Sequence, residues 1–277
     1  MVTETKNLVQ SKLDSDIKAW LSPPDPSTNY NAASAKHLDG TGSWFIKSKE
    51  FLSWRTTPGP SALWLYGSPG CGKTILTYAV LQELCKVVDC SFPKGTILYY
   101  FFDFNDAEKQ SPDNLVRSLI FQLCRRCGKA GNHLTNLYQK HERDGSRPSV
   151  QSLCTTFQAM LNETVEPIII LDALDECKAR NDTPSFGGQR LLEWLGHLQC
   201  KLLVTSRREA DIQLSIERWS TKITLAMQEG SVNEDIRAYV HQYLQSPHTN
   251  ILAETWQSEQ AILDEIETKI VEKAGGM

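Results

Sequence analysis

The sequence predicts an α/β fold, a mostly parallel sheet covered by helices on both faces to give three layers, and three observations predict it. Short apolar runs recur at SALWLY (61–66), TILYYFFDF (96–104), PIIILD (167–172) and KLLVTS (201–206), with a further strand around 221–225. Helical spacing fills the gaps between them at about 73–88, 113–127, 150–164 and 188–198. The runs are apolar throughout rather than alternating, which is how a strand buried on both faces reads. Such strands, joined by crossover helices, make a parallel sheet wrapped on both sides.

Before this core, residues 5–21 place Leu8, Val9, Leu13, Ile17, Trp20 and Leu21 at helical spacing. Pro23, Pro24 and Pro26 end that helix, because proline removes donors and disfavours helix in the residue before it. The run DPSTNYNAASAKHLDGTGS reads as loop, and a short helix is expected over Trp44 to Trp54, closed by TTPGP. After the last strand, VNEDIRAYVHQYLQ and QAILDEIETKIVEKAGG read as helices. The expected organisation is an N-terminal helix and linker (1–35), the α/β domain itself (36–228) and the truncated start of a helical domain (229–277). No repeat of 20–50 residues is visible.

Composition narrows the function classes. With 29 basic against 33 acidic side chains, the net charge of −4 leaves no basic tail or body. Nucleic acid is therefore not expected as a partner, since backbone binding needs concentrated positive charge. No apolar stretch reaches spanning length and the N-terminus lacks a signal-peptide core, so no membrane association and a cytoplasmic location are expected. The eight cysteines then read as reduced, mostly core thiols. Cys124 and Cys127 form a lone CxxC at a helix end, without the second pair a zinc site needs.

The chemistry begins at Gly67-Ser68-Pro69-Gly70-Cys71-Gly72-Lys73-Thr74, which satisfies GxxxxGK[ST] between a strand and a helix. Glycines let successive backbone N–H groups turn inward around phosphates, and the helix start adds its orphan donors. Lys73 is placed for the β- and γ-phosphates, Thr74 for Mg²⁺, and Ile75 continues the loop into the helix. A second signal ends a buried strand at Asp172, followed by Asp175 and Glu176. Asp172 is expected to hold Mg²⁺ through water. Asp175 and Glu176 are candidates to orient or deprotonate the attacking water, Glu176 preferred. Without the loop upstream, the same residues would read as an acidic helix-capping turn.

A third signal, Arg207 after KLLVTS, is a candidate γ-phosphate sensor, the alternative being a solvated turn. Arg208 is expected to cap, or to pair with Glu209 or Asp211. Cys71 is either an ordinary small loop residue or a thiol whose modification blocks nucleotide. Tyr99 to Phe104 read as central-strand core aromatics.

Taken together, the segments WLSPPDPSTNYNAASAKHLDGTGSWFIKSKEFLSW, GSPGCGKT, YYFFDFND with KQS, NLVRSLIFQL, IIILDALDEC, LLVTSRRE and NEDIRAYVHQYL resemble the NACHT family of P-loop NTPases. That family lies within the signal-transduction ATPases with numerous domains, and the likeness is to the nucleotide-binding modules of fungal NOD-like receptors of innate immunity. The resemblance implies that residues 67–74 are the Walker A loop, that Asp172, Asp175 and Glu176 form the extended Walker B box, and that Arg207 is the sensor arginine. It implies that Gly40, Thr41, Gly42, Ser43 and Trp44 wrap the base, although a GTG turn also serves simply to start a helix. Asp103 and Asp106 would support the magnesium shell or start a helix. The implied activity is slow, Mg²⁺-dependent hydrolysis of ATP or GTP to ADP or GDP, driving a signalling switch with self-association or contact with other signalling domains. The alternatives are an assembly module that hydrolyses little and a transferase with a small acceptor. His241 and His248 do not match the family's winged-helix histidine.

Overall fold

Residues 2–89, 95–142, 145–178, 180–181, 186, 188–227, 229–245 and 260–274 are described by a computed structural model of the chain. The side chains of Leu8 and Val9, and all of Cys90, His248 and residues 275–277, lie outside what is described.

The apolar runs become strands β1 (Ser61–Tyr66), β2 (Ile97–Phe101), β3 (Ile168–Asp172), β4 (Lys201–Ser206) and β5 (Lys222–Ala226). They form one sheet in the order β2-β3-β4-β1-β5, every neighbouring pair parallel. Strand β4 therefore stands between β1 and β3. The register pairs Tyr66 with Ser206 and Leu171 with Val204. The C-terminal ends of β1, β3 and β4 are thereby brought to one edge, where open α/β sheets place ligands.

Alternate residues of the strands face opposite layers. Trp64, Leu98, Tyr100, Ile169, Leu171, Leu202 and Val204 join the larger core. That core is built with helices α1 (Val2–Leu21), α6 (Pro112–Arg126), α7 (Gly128–Glu142), α8 (Val150–Leu161), α9 (Leu191–His197) and α10 (Ala210–Ile216). Leu63, Leu65, Ile97, Phe101, Ile170 and Leu203 face the other side. There they meet α3 (Ser43–Ile46), α4 (Lys49–Thr56) and α5 (Lys73–Asp89). Beyond β5, α11 (Glu229–Gln245) and α12 (Gln260–Ala274) pack together through Val240, Leu244 and Leu263. No helix among the described residues is long and apolar enough to cross a membrane.

Several expectations need correction. The polar run after Pro26 is not all loop, because α2 (Ser27–Lys36) forms within it. Its Tyr30 packs on Tyr78 and Tyr99 at 5.0 and 5.6 Å, and Ala33 is buried, so tertiary contact supplies what the composition hides. The helix expected over 44–54 is two helices, since Ser48 caps α4 by accepting from Phe51 N at 3.1 Å. The helices α7 and α10 fall outside the expected set. In α7, Ala130, Leu134, Leu137 and Tyr138 carry the apolar spacing. Strand β2 is an edge strand, not central, and stops at Phe101. Beyond it Gln110 Nε2 donates to the carbonyls of Asp103 and Phe104, which takes them out of any strand ladder, and Phe104 is left 69% exposed.

Two buried contacts brace the sheet edge opposite the ligand side. Lys201, at the start of β4, donates to the carbonyls of Trp54 and Thr57 at the C-terminal end of α4. Trp219 donates to Leu192 O at 3.1 Å and its ring lies against Gly196 on α9, where a Cβ would collide with it. Gly196→Ala is therefore expected to displace Trp219 and destabilise the chain by about 1–3 kcal/mol despite the better helix propensity of alanine. Urea unfolding checks this, and an unchanged midpoint would refute it.

Candidate functional site

The loop between β1 and α5 turns on glycines with left-handed backbones, Gly70 at φ 77° and Gly72 at φ 90°, which side chains rarely adopt. Gly67 is needed for a different reason. A Cβ there would sit 2.7 Å from the Cys71 sulfur and 3.1 Å from Met227. The loop ends where α5 starts, with Leu76 N donating to Gly72 O at 2.9 Å. Lys73 Nζ folds back over it, donating to Gly67 O at 2.9 Å and Ser68 O at 2.7 Å. Cys71 is buried, with its thiol on the Met227 sulfur at 3.4 Å.

Across the sheet edge, Asp172 is 1% exposed at the end of β3. Its Oδ2 accepts from Thr74 Oγ1 at 2.7 Å, and its Oδ1 accepts from Thr77 Oγ1 at 2.8 Å and Thr205 Oγ1 at 2.6 Å. Burial pushes this carboxyl above its ordinary range, while Thr205, Thr74, Thr77 and Lys73 pull the other way. Thr74 and Asp172, both proposed from sequence as metal ligands, are thus in direct contact. A hydroxyl and a carboxylate are hard oxygen donors of the kind Mg²⁺ takes alongside phosphates and water, so the residues fit that ion.

The next turn separates the other two acids. Asp175 has a 3% exposed side chain, and both its oxygens serve Arg207, accepting from its backbone N at 2.9 Å and from Nε at 2.5 Å. That pairing raises the Arg207 pKa above its ordinary value. Glu176 instead accepts from Phe104 N through Oε2 at 2.8 Å. Burial raises its pKa against that bond, and Asp175, Asp103 and Asp172 raise it further. Lys73, Thr74, Asp172, Asp175, Glu176 and Arg207 all line one cleft of about 880 Å³.

Arg208 does not take the acidic partners expected for it. Its Nε reaches Gln213 at 3.2 Å and its guanidinium lies over Tyr66, while Asp211 is held by Arg180 at 2.7 Å. Asp106 takes the helix-start role, accepting from Glu108 N at 3.0 Å. Asp103 lines the cleft and accepts from Asn29 at 2.8 Å. Cys127 donates to Glu163 O at 3.7 Å, and the described residues contain no cluster of three or more metal-type ligands.

A second, apolar cavity of about 150 Å³ shares Gly70, Gly72 and Ile75 with the cleft. Thr41, Gly42 and Trp44 line it, so the segment around the GTG turn reaches the loop. Gly42 has φ 77°, and a Cβ on it would meet Leu76 at 2.7 Å. The far wall is Met227 with Val232, Asp235, Ile236 and Tyr239 of α11. Asp235 Oδ2 accepts from Gly42 N at 2.8 Å and Trp44 Nε1 at 3.0 Å.

Sequence reasoning missed Thr77, Thr205 and Asp235. Thr77 sits one helical turn beyond Thr74, a spacing that could have found it. Thr205 and Asp235 needed the fold, because only the strand order and the return of α11 bring them in.

The chain is similar to several known proteins. The chain is 26% identical over 234 residues to the vegetative incompatibility protein HET-E-1 of Podospora anserina, covering 81% of this chain and 16% of that protein. A proteasome-associated ATPase of Parafrankia sp. is 34% identical over 64 residues, 23% of this chain and 10% of that protein. The chain thus spans only a small part of the relatives it matches. Among solved structures, the Aeropyrum pernix ORC1 protein in complex with DNA aligns at TM-score 0.45 and 14% identity, covering 79% of this chain and 50% of that one. The Walker-type ATPase of Pyrococcus abyssi aligns at 0.43 and 11%, covering 80% and 64%. The family model described as Nephrocystin 3, N-terminal, matches residues 40–207, which takes in the GTG turn, the phosphate loop, the acidic strand end and Arg207. The chain belongs to that family, and its resemblance to NACHT-type P-loop NTPases holds.

Proposed function

We propose that the chain is an Mg²⁺-dependent nucleoside triphosphatase that works as the switch module of a NOD-like-receptor type protein. The observation that carries the reading is the Thr74–Asp172 contact, set at the same sheet edge as Lys73, Glu176 and Arg207. Thr74 and Asp172 would hold Mg²⁺, which when bound neutralises charge on the β- and γ-phosphates. The loop amides of 68–74 and the Lys73 ammonium bind the phosphate oxygens. Glu176, held by Phe104 N–H, takes the proton of the attacking water, and its raised pKa makes it a better base. Asp175 aligns Arg207 through the Nε side, leaving the terminal guanidinium nitrogens for the γ-phosphate. The base occupies the second cavity, beside Thr41 and Gly42, because that cavity opens from the same loop residues.

The alternative is an assembly module with little hydrolysis. Asp175 is committed to Arg207, so of these two acids Glu176 alone is left to act on water. Residues 36–228 serve as the nucleotide-binding domain, 1–35 as helix and linker, and the described residues of 229–277 as a helical region. Cytoplasmic location, self-association and the absence of nucleic-acid and membrane partners complete the reading.

Phosphate release with water as sole acceptor, and equilibrium binding of ATP, ADP, GTP and GDP with and without Mg²⁺, test it. Lys73→Ala is expected to weaken triphosphate binding by about tenfold or more. Unchanged affinity would overturn the phosphate-loop assignment. Glu176→Gln should keep affinity within about twofold while phosphate release falls roughly a hundredfold; release at the parent rate removes Glu176 from the mechanism. Arg207→Ala should weaken triphosphate more than diphosphate, and equal losses would count against a γ-phosphate sensor.

A further inference from the structure

We propose that Asp235 reads the base. Its carboxylate accepts from the 6-amino group of adenine, which makes the site selective for adenine nucleotides over 6-oxo purine nucleotides. The inference rests on the reading of the second cavity as the base site and assigns a nucleotide class to it.

The cavity wall is largely apolar, with Trp44, Ile75, Leu76, Met227, Val232 and Ile236. Among the described residues lining it, Asp235 is the charged one. Thr41 spends its hydroxyl on its own loop, donating to Leu38 O at 2.7 Å. A carboxylate on an apolar wall is costly unless its oxygens find donors, and an unmet acceptor therefore selects a ligand that brings one.

The two oxygens of Asp235 are not equivalent. Gly42 N and Trp44 Nε1 both donate to Oδ2, which fills the two acceptor sites of that atom. Oδ1 has no partner among the described residues. The two hydrogen bonds accepted by Oδ2 also fix the side chain, because one donor is backbone and the other is an indole anchored beside Phe45 at 5.8 Å. Burial raises the carboxyl pKa, with the Gly42 and Trp44 N–H groups and His37 drawing it back toward the ionised, acceptor-only form.

An acceptor held in this way distinguishes purine edges. Adenine brings an amine at position 6. Guanine and hypoxanthine bring a carbonyl there, whose partial negative charge opposes a carboxylate. The N1–H and N2–H₂ pair of guanine asks for two carboxylate oxygens side by side, and Oδ2 is already filled. Pairing through hydrogen bonds rejects the wrong ligand strongly, because the buried polar group is then left unmet.

The experiment removes the 6-amino group from the ligand and the charge from the protein in one cycle. Affinities of ATP, purine riboside triphosphate, ITP and GTP are measured with Mg²⁺ for the full chain, for Asp235→Asn and for Lys73→Ala. In the parent, ATP is expected to bind about tenfold or more tighter than purine riboside triphosphate, the loss of a hydrogen bond to a charged group. ITP and GTP should be weaker than ATP by at least as much. In Asp235→Asn the amide oxygen can still serve Gly42 and Trp44 while the amide nitrogen faces the cavity as a donor. The gap between ATP and purine riboside triphosphate should then close to within about twofold, and ITP should gain on ATP.

Equal binding of ATP and GTP by the parent overturns the proposal. So does the same ATP preference in both proteins, or a uniform loss for all four nucleotides in Asp235→Asn, which would make Asp235 only a brace for α11. The parent comparison of ATP with purine riboside triphosphate decides the question even where the variant does not fold. Failure of the underlying reading looks different: no triphosphate binds the parent, or Lys73→Ala binds all four as the parent does.

Discussion

One buried carboxylate organises the ligand edge of this molecule. Asp172 ends β3 inside the protein, and three threonine hydroxyls from two other elements satisfy it. Thr74 and Thr77 come from the first two turns of α5, so the helix that follows the phosphate loop is tied to the sheet by the group proposed to help hold the metal. Thr205 comes from β4 and also accepts from Ala173 N at 3.0 Å, which holds the left-handed turn leading to Asp175 and Glu176. An unpaired charge in that position would cost several kcal/mol. Each of the three hydroxyls offsets part of that cost.

From this anchor, the site divides into parts of different rigidity. Lys73, Asp172 and Arg207 stand on or beside strands and the helix start, as a preorganised electrostatic site requires. Glu176 hangs from a backbone amide of the segment after β2, itself braced by Gln110 and Asn29. The base side is different again, since one wall belongs to α11, which reaches the loop through Asp235. On the proposed reading of that cavity, nucleotide occupancy and the placement of α11 would be coupled through this carboxylate.

The fold was legible where the signal was local. Continuous apolar runs located the strands within a few residues, and the loop pattern between β1 and α5 located the glycine turn that lines the cleft. What stayed hidden was set by distant partners. The residues of α2 are polar enough to read as loop, and their helix depends on Tyr30 meeting Tyr78 and Tyr99. Strand β2 looks central from its aromatics, yet only the strand order shows it at the edge. Among the candidate site residues, three local signals pointed to Lys73, Thr74, Asp172, Glu176 and Arg207, which the fold gathers in one cleft, whereas the pairing of Asp175 with Arg207 could not be read from spacing. Asp235 lies 193 residues from the amide it holds, which is beyond any local pattern.

The strand order also has a consequence for how this chain is made. β1, which launches the phosphate loop, pairs only with β4 and β5. Its neighbours therefore begin at Lys201, long after the loop itself has been synthesised. At roughly 5–20 residues per second, β1 waits on the order of ten seconds on the ribosome before either partner exists. Through that interval an apolar strand with both edges open stands exposed, a hazard for wrong pairing. Meanwhile β2 and β3 can pair with each other, so synthesis order allows the sheet to grow from its edge inward and to close around β1 last. In that order the glycine-rich turn after β1 acquires its final surroundings late.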